Sequence, residues 1–253
     1  MLRRPRLLLV YPSTHRLGWV RRFQLPSLSL KLVAAATPPE WDVCLADELH
    51  EEIPFDGDFD AVGITAMTHQ AVRAYQVADR FRLRGIPVIL GGMHATVLPD
   101  EALEHADAVV IGEAEPVWAR LLSDLRAGKL ASRYSSVPDG ETLVIPWARR
   151  DILAGKKYLT TQTLQASRGC PYDCPFCTVT PYFGRSFRYR DPDDILAEMR
   201  TFDRKLTVIL DDNILGDPER ARPILKGMAG LGPASERFAG RKTCIALQFR
   251  AGR

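Results

Sequence analysis

The chain has 253 residues, 46% hydrophobic and 26% charged, with a formal net charge of +3. These values describe an ordinary globular protein with room for one large domain or two modest ones. They exclude a disordered or fibrous chain. A charge this small, scattered apart from short basic runs at 3–6 and 185–190, gives no reason to expect a nucleic-acid partner.

Leu7–Tyr11 is an apolar run ending at Pro12, expected as a buried first strand; it is shorter than the signal-peptide core of roughly 7–15 residues. Leu28–Ala36 has helical spacing, and Pro38-Pro39 ends it. Val43–Ala46 and Ala61–Thr65 read as strands. His69–Leu83 reads as an amphipathic helix with Val72, Tyr75, Val77, Ala78 and Phe81 on its apolar face and Gly85 as its C-cap. Pro87–Gly92 is a strand running into a Gly-Gly turn. Ala108–Ile111 is a fifth strand closed by Gly112, and Glu115–Arg126 a helix followed by Gly128.

Apolar strands alternating with helices imply a parallel sheet covered on both faces. Residues 1–130 are therefore expected to form an α/β, flavodoxin-like (Rossmann-type), doubly wound domain. Ligands of such sheets bind beyond the carboxyl ends of the strands, which selects segments 12–18, 65–69, 91–96 and 112–115. Residues 131–160, rich in Gly, Ser and Pro, read as a linker that Trp147 and Tyr158 dock on a domain. Residues 161–253 resume the alternation: strand Thr163–Ala166, helix Pro192–Phe202 capped by Asp191, strand Leu206–Leu210 and helix Pro218–Met228. No stretch approaches the ~18 apolar residues of a membrane span, so no membrane span and a cytoplasmic location are expected.

Of five cysteines, three fall between positions 170 and 177. An odd count with this clustering argues against a disulfide framework and for a metal site. Cys44 and Cys244 stand alone and are expected as small buried hydrophobes. Cys170, Cys174 and Cys177 are spaced C-x3-C-x2-C. Zinc sites normally take four ligands; no fourth is near, and Cys244 lies 67 positions beyond Cys177. Three thiolates in one tight loop suit a four-iron cluster with one iron open to an exogenous ligand. A zinc loop, or three core cysteines, is the other reading of the same residues.

The segment Ser167-Arg-Gly-Cys-Pro-Tyr-Asp-Cys-Pro-Phe-Cys177 resembles the cluster loop of the radical S-adenosylmethionine (radical SAM) superfamily, with Phe176 in the place of that family's aromatic before the last cysteine. The resemblance implies a [4Fe-4S] cluster on Cys170, Cys174 and Cys177, S-adenosyl-L-methionine on the open iron, and reductive cleavage to a 5′-deoxyadenosyl radical. It also implies an electron donor of flavodoxin or ferredoxin type. Leu206–Asn213 resembles the second barrel strand, so Asp211, Asp212 and Asn213 are expected to face the cofactor. The alternative there is a polar strand-to-helix turn, with Asn213 or Asp217 capping the next helix.

Further forward, Gly91-Gly-Met-His-Ala-Thr followed by Val109-Val-Ile-Gly-Glu-Ala-Glu-Pro resembles the cobalamin-binding domain found ahead of many radical SAM cores. In that setting Gly91, Gly92 and Gly112 let backbone approach the corrin and its nucleotide tail without a Cβ in the way. Thr65 and Thr68 would bond the tail or the corrin amides, or else serve as strand-end and cap residues. His94 would be a loop residue near the corrin edge rather than a ligand, and Glu113 of the Gly-Glu turn a further cofactor-binding residue. His15, in Ser13-Thr-His-Arg-Leu-Gly18, keeps the His and Gly of the cobalt-ligating D-x-H-x-x-G motif, with Ser where Asp would orient the imidazole. His50, His69 and His105 belong to no constellation.

The resemblance implies a cobalamin-dependent radical SAM enzyme, a methyltransferase to (or cyclase of) an unactivated carbon in a small-molecule or lipid-like substrate. A non-catalytic, truncated module that only binds cobalamin and an iron–sulfur cluster is the alternative. The resemblance implies a barrel of about 200 residues from the cysteine loop onward, whereas 76 follow Cys177. A partial barrel is expected over 161–253, C-terminally truncated, with an atypical tail from about Gly232.

Overall fold

The structure is a computed structural model. It describes residues 3–13, 23–136, 140, 142–183, 185, 187–203 and 206–231, and the backbone of 244–247. These form two compact units: described residues up to 136 with 148–157, and residues 140–147 with those from 158 onward. The segment read as a linker is thus shared between both units. In the first, Ala148 and Leu153 are buried, Lys156 pairs with Glu51 at 2.7 Å, and the Arg149 N–H donates to the Lys31 carbonyl at 3.2 Å. In the second, the Trp147 indole N–H donates to Asp194 at 2.7 Å.

The front unit is a six-stranded parallel sheet of β1 (Arg6–Tyr11), β2 (Asp42–Asp47), β3 (Ala61–Thr65), β4 (Val88–Gly91), β5 (Ala108–Ile111) and β6 (Arg133–Ser135), in the order β2-β1-β3-β4-β5-β6. The sixth strand went unread because it is a three-residue edge strand burying only Tyr134. Successive side chains of each strand enter opposite layers. Leu8, Val10, Val62 and Ile64 pack with Ala74, Val77, Ala78 and Phe81 of helix α2 (Ala71–Arg82). On the other face, a Cβ on Gly63 would stand 3.0 Å from Leu9 and 3.3 Å from Trp118. Trp118 lies on α5 (Glu115–Arg126), which packs beside α1 (Leu28–Ala36); its indole donates to Thr37 at 2.9 Å. The doubly wound expectation is therefore met.

Two details differ from the periodicity. Val72, placed on the apolar face of α2, is 70% exposed, and the smaller Ala71 and Ala74 turn inward instead. Between β4 and β5 lie two short helices, α3 (Met93–Val97) and α4 (Pro99–Glu104). Five or six residues give too little repeat for a 3.6-residue period to register, and Pro99 starts the second.

The second unit holds a three-stranded parallel sheet, β11-β10-β7, from β7 (Thr163–Leu164), β10 (Leu206–Ile209) and β11 (Cys244–Leu247). The tail expected to be atypical from Gly232 thus contributes an edge strand. The run read as one strand, 163–166, is interrupted: β8 (Ser167–Gly169) leaves the sheet and pairs antiparallel with β9 (Phe187–Tyr189). Helix α6 (Val179–Phe183) lies between β8 and β9. Helices α7 (Pro192–Arg200) and α8 (Pro218–Gly230) begin at side-chain caps, Asp191 and Asp217, each accepting two backbone N–H groups. Ile195, Met199, Ile224 and Met228 bring both helices onto Leu164 and Ile209. Arg190 is buried beyond β9 and pairs with the buried Glu198 at 2.7 Å. Breaking such a pair from one side leaves a buried charge and costs about 3–5 kcal/mol.

Candidate functional site

In the front unit the carboxyl ends of β3 to β6 form one continuous edge. Thr65 pairs in register with Gly91. Thr96 on α3 donates its hydroxyl to the Gly92 carbonyl at 2.9 Å and accepts from the Gly112 N–H at 3.0 Å. The Glu113 N–H donates to the Ser136 hydroxyl at 3.1 Å, which in turn donates to the Glu113 carbonyl at 2.7 Å. Thr65, Gly91, Gly92, Gly112 and Glu113 are thus brought together. Thr68 stands apart, exposed on a 3-10 turn at Thr68–Gln70.

The glycines separate by cause. Gly92 has φ +89, and a Cβ there would stand 2.6 Å from the Thr65 hydroxyl and 3.0 Å from Ala66 backbone atoms. Gly112 has φ +83 and lies against the Ser136 carbonyl, 3.2 Å from such a Cβ. Both are required by the protein's own backbone. Gly91 is not: its strand geometry suits any residue, and a Cβ there would meet only Val110 at 3.7 Å. Of the three, Gly91 is the one whose missing side chain leaves space at this edge, which fits a flat ligand approaching closely.

His94 corrects the loop reading. It lies in the first turn of α3, only 4% exposed, with Nε2 at 2.8 Å from the Tyr75 hydroxyl and 3.2 Å from Glu101. Tyr75 stacks on His105 at 4.2 Å, and His105 bonds Asp79 at 2.9 Å. Burial and the neighbouring Glu101 push the Tyr75 hydroxyl well above its ordinary pKa, so it stays a neutral donor. This chain of aromatic and acidic groups ties α2 to α3 and α4. His15 lies outside the described residues.

Sequence reading missed Gln70. It is buried, accepts from the Met67 N–H at 3.0 Å and donates to the Pro12 carbonyl at 2.8 Å. It joins the segments following β1 and β3, the point where strand order reverses and ligands of this architecture bind. No local signal exists for it, because its partner is 58 positions away.

In the second unit, Cys170, Cys174 and Cys177 are all half-buried on the loop that follows β8. Three consecutive residues after β10 bond this stretch in order. Asp211 accepts from the Ala166 N–H at 2.8 Å and the Ser167 hydroxyl at 2.7 Å. Asp212 accepts from the Gly169 N–H at 3.2 Å. The Asn213 amide donates to the Cys170 sulfur at 3.5 Å. On the other side, the Val179 N–H donates to the Cys177 sulfur at 3.5 Å. Gly216 fits where a Cβ would come within 2.7 Å of Pro171. Tyr189 fastens the segment by donating to the Ile214 carbonyl at 3.0 Å and accepting from the Asp217 N–H at 3.2 Å. Burial raises its hydroxyl to about 12.

Asp211 is a second correction. Expected to face a cofactor, it is 5% exposed with both oxygens taken up by the chain leading to the cysteines. Burial lifts its carboxyl from the ordinary 3.8 to about 7, against the pull of those bonds. Asp217, not Asn213, caps α8. Phe176 is 63% exposed and Tyr172 60%, so the loop presents two aromatic rings outward.

Among the described residues no three His, Cys, Asp or Glu side chains converge closely enough to hold a single ion. In a cuboidal cluster each cysteine takes its own iron, so its thiolates stand wider apart than the ligands of one zinc. Three accessible thiols on one loop, with N–H donors directed at two of the sulfurs, fit such a cluster. Phe176 and the loop backbone would border it.

Fold and loop together describe a doubly wound α/β domain followed by a second α/β unit that carries a C-x3-C-x2-C loop. Residues 18–122 match the family model "B12 binding domain", so the chain carries such a domain. It is similar to two Chlorobaculum tepidum proteins. Identity to bacteriochlorophyllide d C-12(1)-methyltransferase is 38% over 218 residues, covering 81% of this chain and 48% of that protein. Identity to bacteriochlorophyllide d C-8(2)-methyltransferase is 38% over 175 residues, covering 65% and 38%. The chain thus spans half or less of the length of these curated relatives. In fold it resembles the radical S-adenosylmethionine methyltransferase TsrM from Kitasatospora setae, solved with cobalamin and a [4Fe-4S] cluster bound. The TM-score is 0.67 at 13% identity, over 89% of this chain and 51% of that one.

Proposed function

We propose that this chain is the cofactor-holding part of a cobalamin-dependent radical SAM methyltransferase acting on an unactivated carbon of a hydrophobic small molecule. The names of the two relatives favour a tetrapyrrole substrate. The observation that carries the reading is the cysteine loop: three half-buried thiols, two of them accepting N–H donors, on a loop fixed by consecutive residues from the neighbouring strand end. When bound, the cluster and S-adenosyl-L-methionine supply one-electron cleavage to a 5′-deoxyadenosyl radical, and cobalamin supplies the methyl group.

The chain's own residues hold and orient. Cys170, Cys174 and Cys177 would each ligate one iron. Asp211 and Asp212 fix the backbone entering Cys170. Gly91 leaves the β4 end bare for the corrin, while Thr96 and Ser136 hold the flanking turns. An electron donor of flavodoxin or ferredoxin type and a reducing, cytoplasmic setting complete the proposal. Among the described residues no helix is long and apolar enough to cross a membrane.

Anaerobic reconstitution tests it. Iron and sulfide should load, and a strong reductant should release 5′-deoxyadenosine from S-adenosyl-L-methionine, with Cys174→Ala abolishing release. Cobalamin and cluster binding without cleavage would leave a binding module. Zinc in place of iron and sulfide would overturn the cluster.

A further inference from the structure

We infer that the run Asp211-Asp212-Asn213 secures the iron–sulfur loop, with Asn213 as the residue that sets the electrostatics of Cys170. The inference rests on the cluster reading above and goes beyond it by giving these residues a role. The three side chains engage positions 166–167, 169 and 170 in the same order as their own sequence. Asp211 and Asp212 spend carboxylate oxygens on backbone N–H groups and a hydroxyl. The Asn213 amide reaches a sulfur, that of Cys170.

The chemistry gives a direction. A cluster becomes more negative on reduction, and part of the added charge lies on its thiolates. An N–H donor at Cys170 stabilises the reduced state more than the oxidised one and so raises the reduction potential. The amide is neutral and planar, so it supplies a donor without adding charge. A carboxylate of the same shape would supply an acceptor and a negative charge instead, with the opposite effect. Asn213 is a positioning residue in this scheme, acting through Cys170.

The test is redox titration of the full 253-residue chain after anaerobic loading, with iron and sulfide assayed on every sample. Asn213→Ala should keep its cluster and become harder to reduce by about tenfold in the equilibrium constant, which is ~59 mV for a one-electron couple. Asn213→Asp should lie further negative, and Asn213→Gln, which keeps the amide, should return toward the parent value. Leu215→Ala, an exposed apolar change on the same segment, should leave the potential unmoved. Parent-like potentials in both Asn213→Ala and Asn213→Asp at full iron content would overturn the inference and leave the cluster reading intact. Asn213→Ala that loses iron while Asn213→Gln retains it at the parent potential supports the role of the amide. A parent chain that takes up no iron or sulfide overturns both.

Discussion

Asp211 shows how much of this unit depends on a single protonation state. In an unfolded chain its carboxyl ionises near 3.8; in the folded unit burial holds the proton until about 7. The unfolded state therefore gives up the proton first as pH rises. The contribution is fully present below about pH 3.8 and is lost as pH climbs toward 7, amounting to on the order of 4 kcal/mol. Asp211→Asn removes the titration and keeps the geometry: the amide oxygen accepts from Ala166, and its N–H donates to Ser167, whose hydroxyl reverses role. Urea midpoints of the second unit should fall between about pH 5 and about pH 7.5 in the parent and stay level in the variant. Parallel curves would show that Asp211 ionises normally. The residue type and its place after a strand were readable in the sequence. Its orientation was not, because the groups that claim its oxygens lie 44 and 45 positions earlier.

At the scale of elements, the glycine turns of the front unit separate fold from binding. Gly92→Ala meets Thr65 and Ala66 at a positive φ, so it should destabilise by about 1–3 kcal/mol from backbone strain alone, more with the clash. Gly91→Ala meets only Val110 at an ordinary distance. It should leave the thermal midpoint within a degree or two while weakening cobalamin binding tenfold or more, read by the absorbance change of titrated cobalamin. Unchanged affinity in Gly91→Ala would mean the corrin does not pass over β4. The sequence revealed strands, helices and glycine positions because each has a local cause: apolar runs, a 3.6-residue repeat, a required φ. It could not rank the glycines, since that depends on which strand end lies alongside. Nor could it reveal Gln70 or Ser136, single polar residues whose partners arrive from 58 and 23 positions away. The cysteine loop was legible in part: spacing placed three thiols on one loop, which the structure shows half-buried, but not the bonds it makes with Asp212 and Asn213, each from 43 positions away.

For the whole molecule, the division of 131–160 between units makes the boundary a physical question rather than a compositional one. Gly, Ser and Pro between two periodic regions look the same whether the segment hangs free or packs. Here Ala148 and Leu153 are buried and Lys156 reaches Glu51 within the front unit, after the chain has contributed 140–147 to the other. A chain ended after Lys157 should therefore bind cobalamin and take up no iron. A chain ended after Ser136 keeps all six strands of the sheet but loses the buried Leu153, worth about 2–5 kcal/mol, and the partly exposed ion pair, worth at most ~1 kcal/mol. For a unit of this size that lowers the thermal midpoint by roughly 6–18 °C. Calorimetry on the two shortened chains decides it. Equal midpoints would mean that 148–157 adds nothing to the front unit, and that the B12-binding domain ends with its sheet.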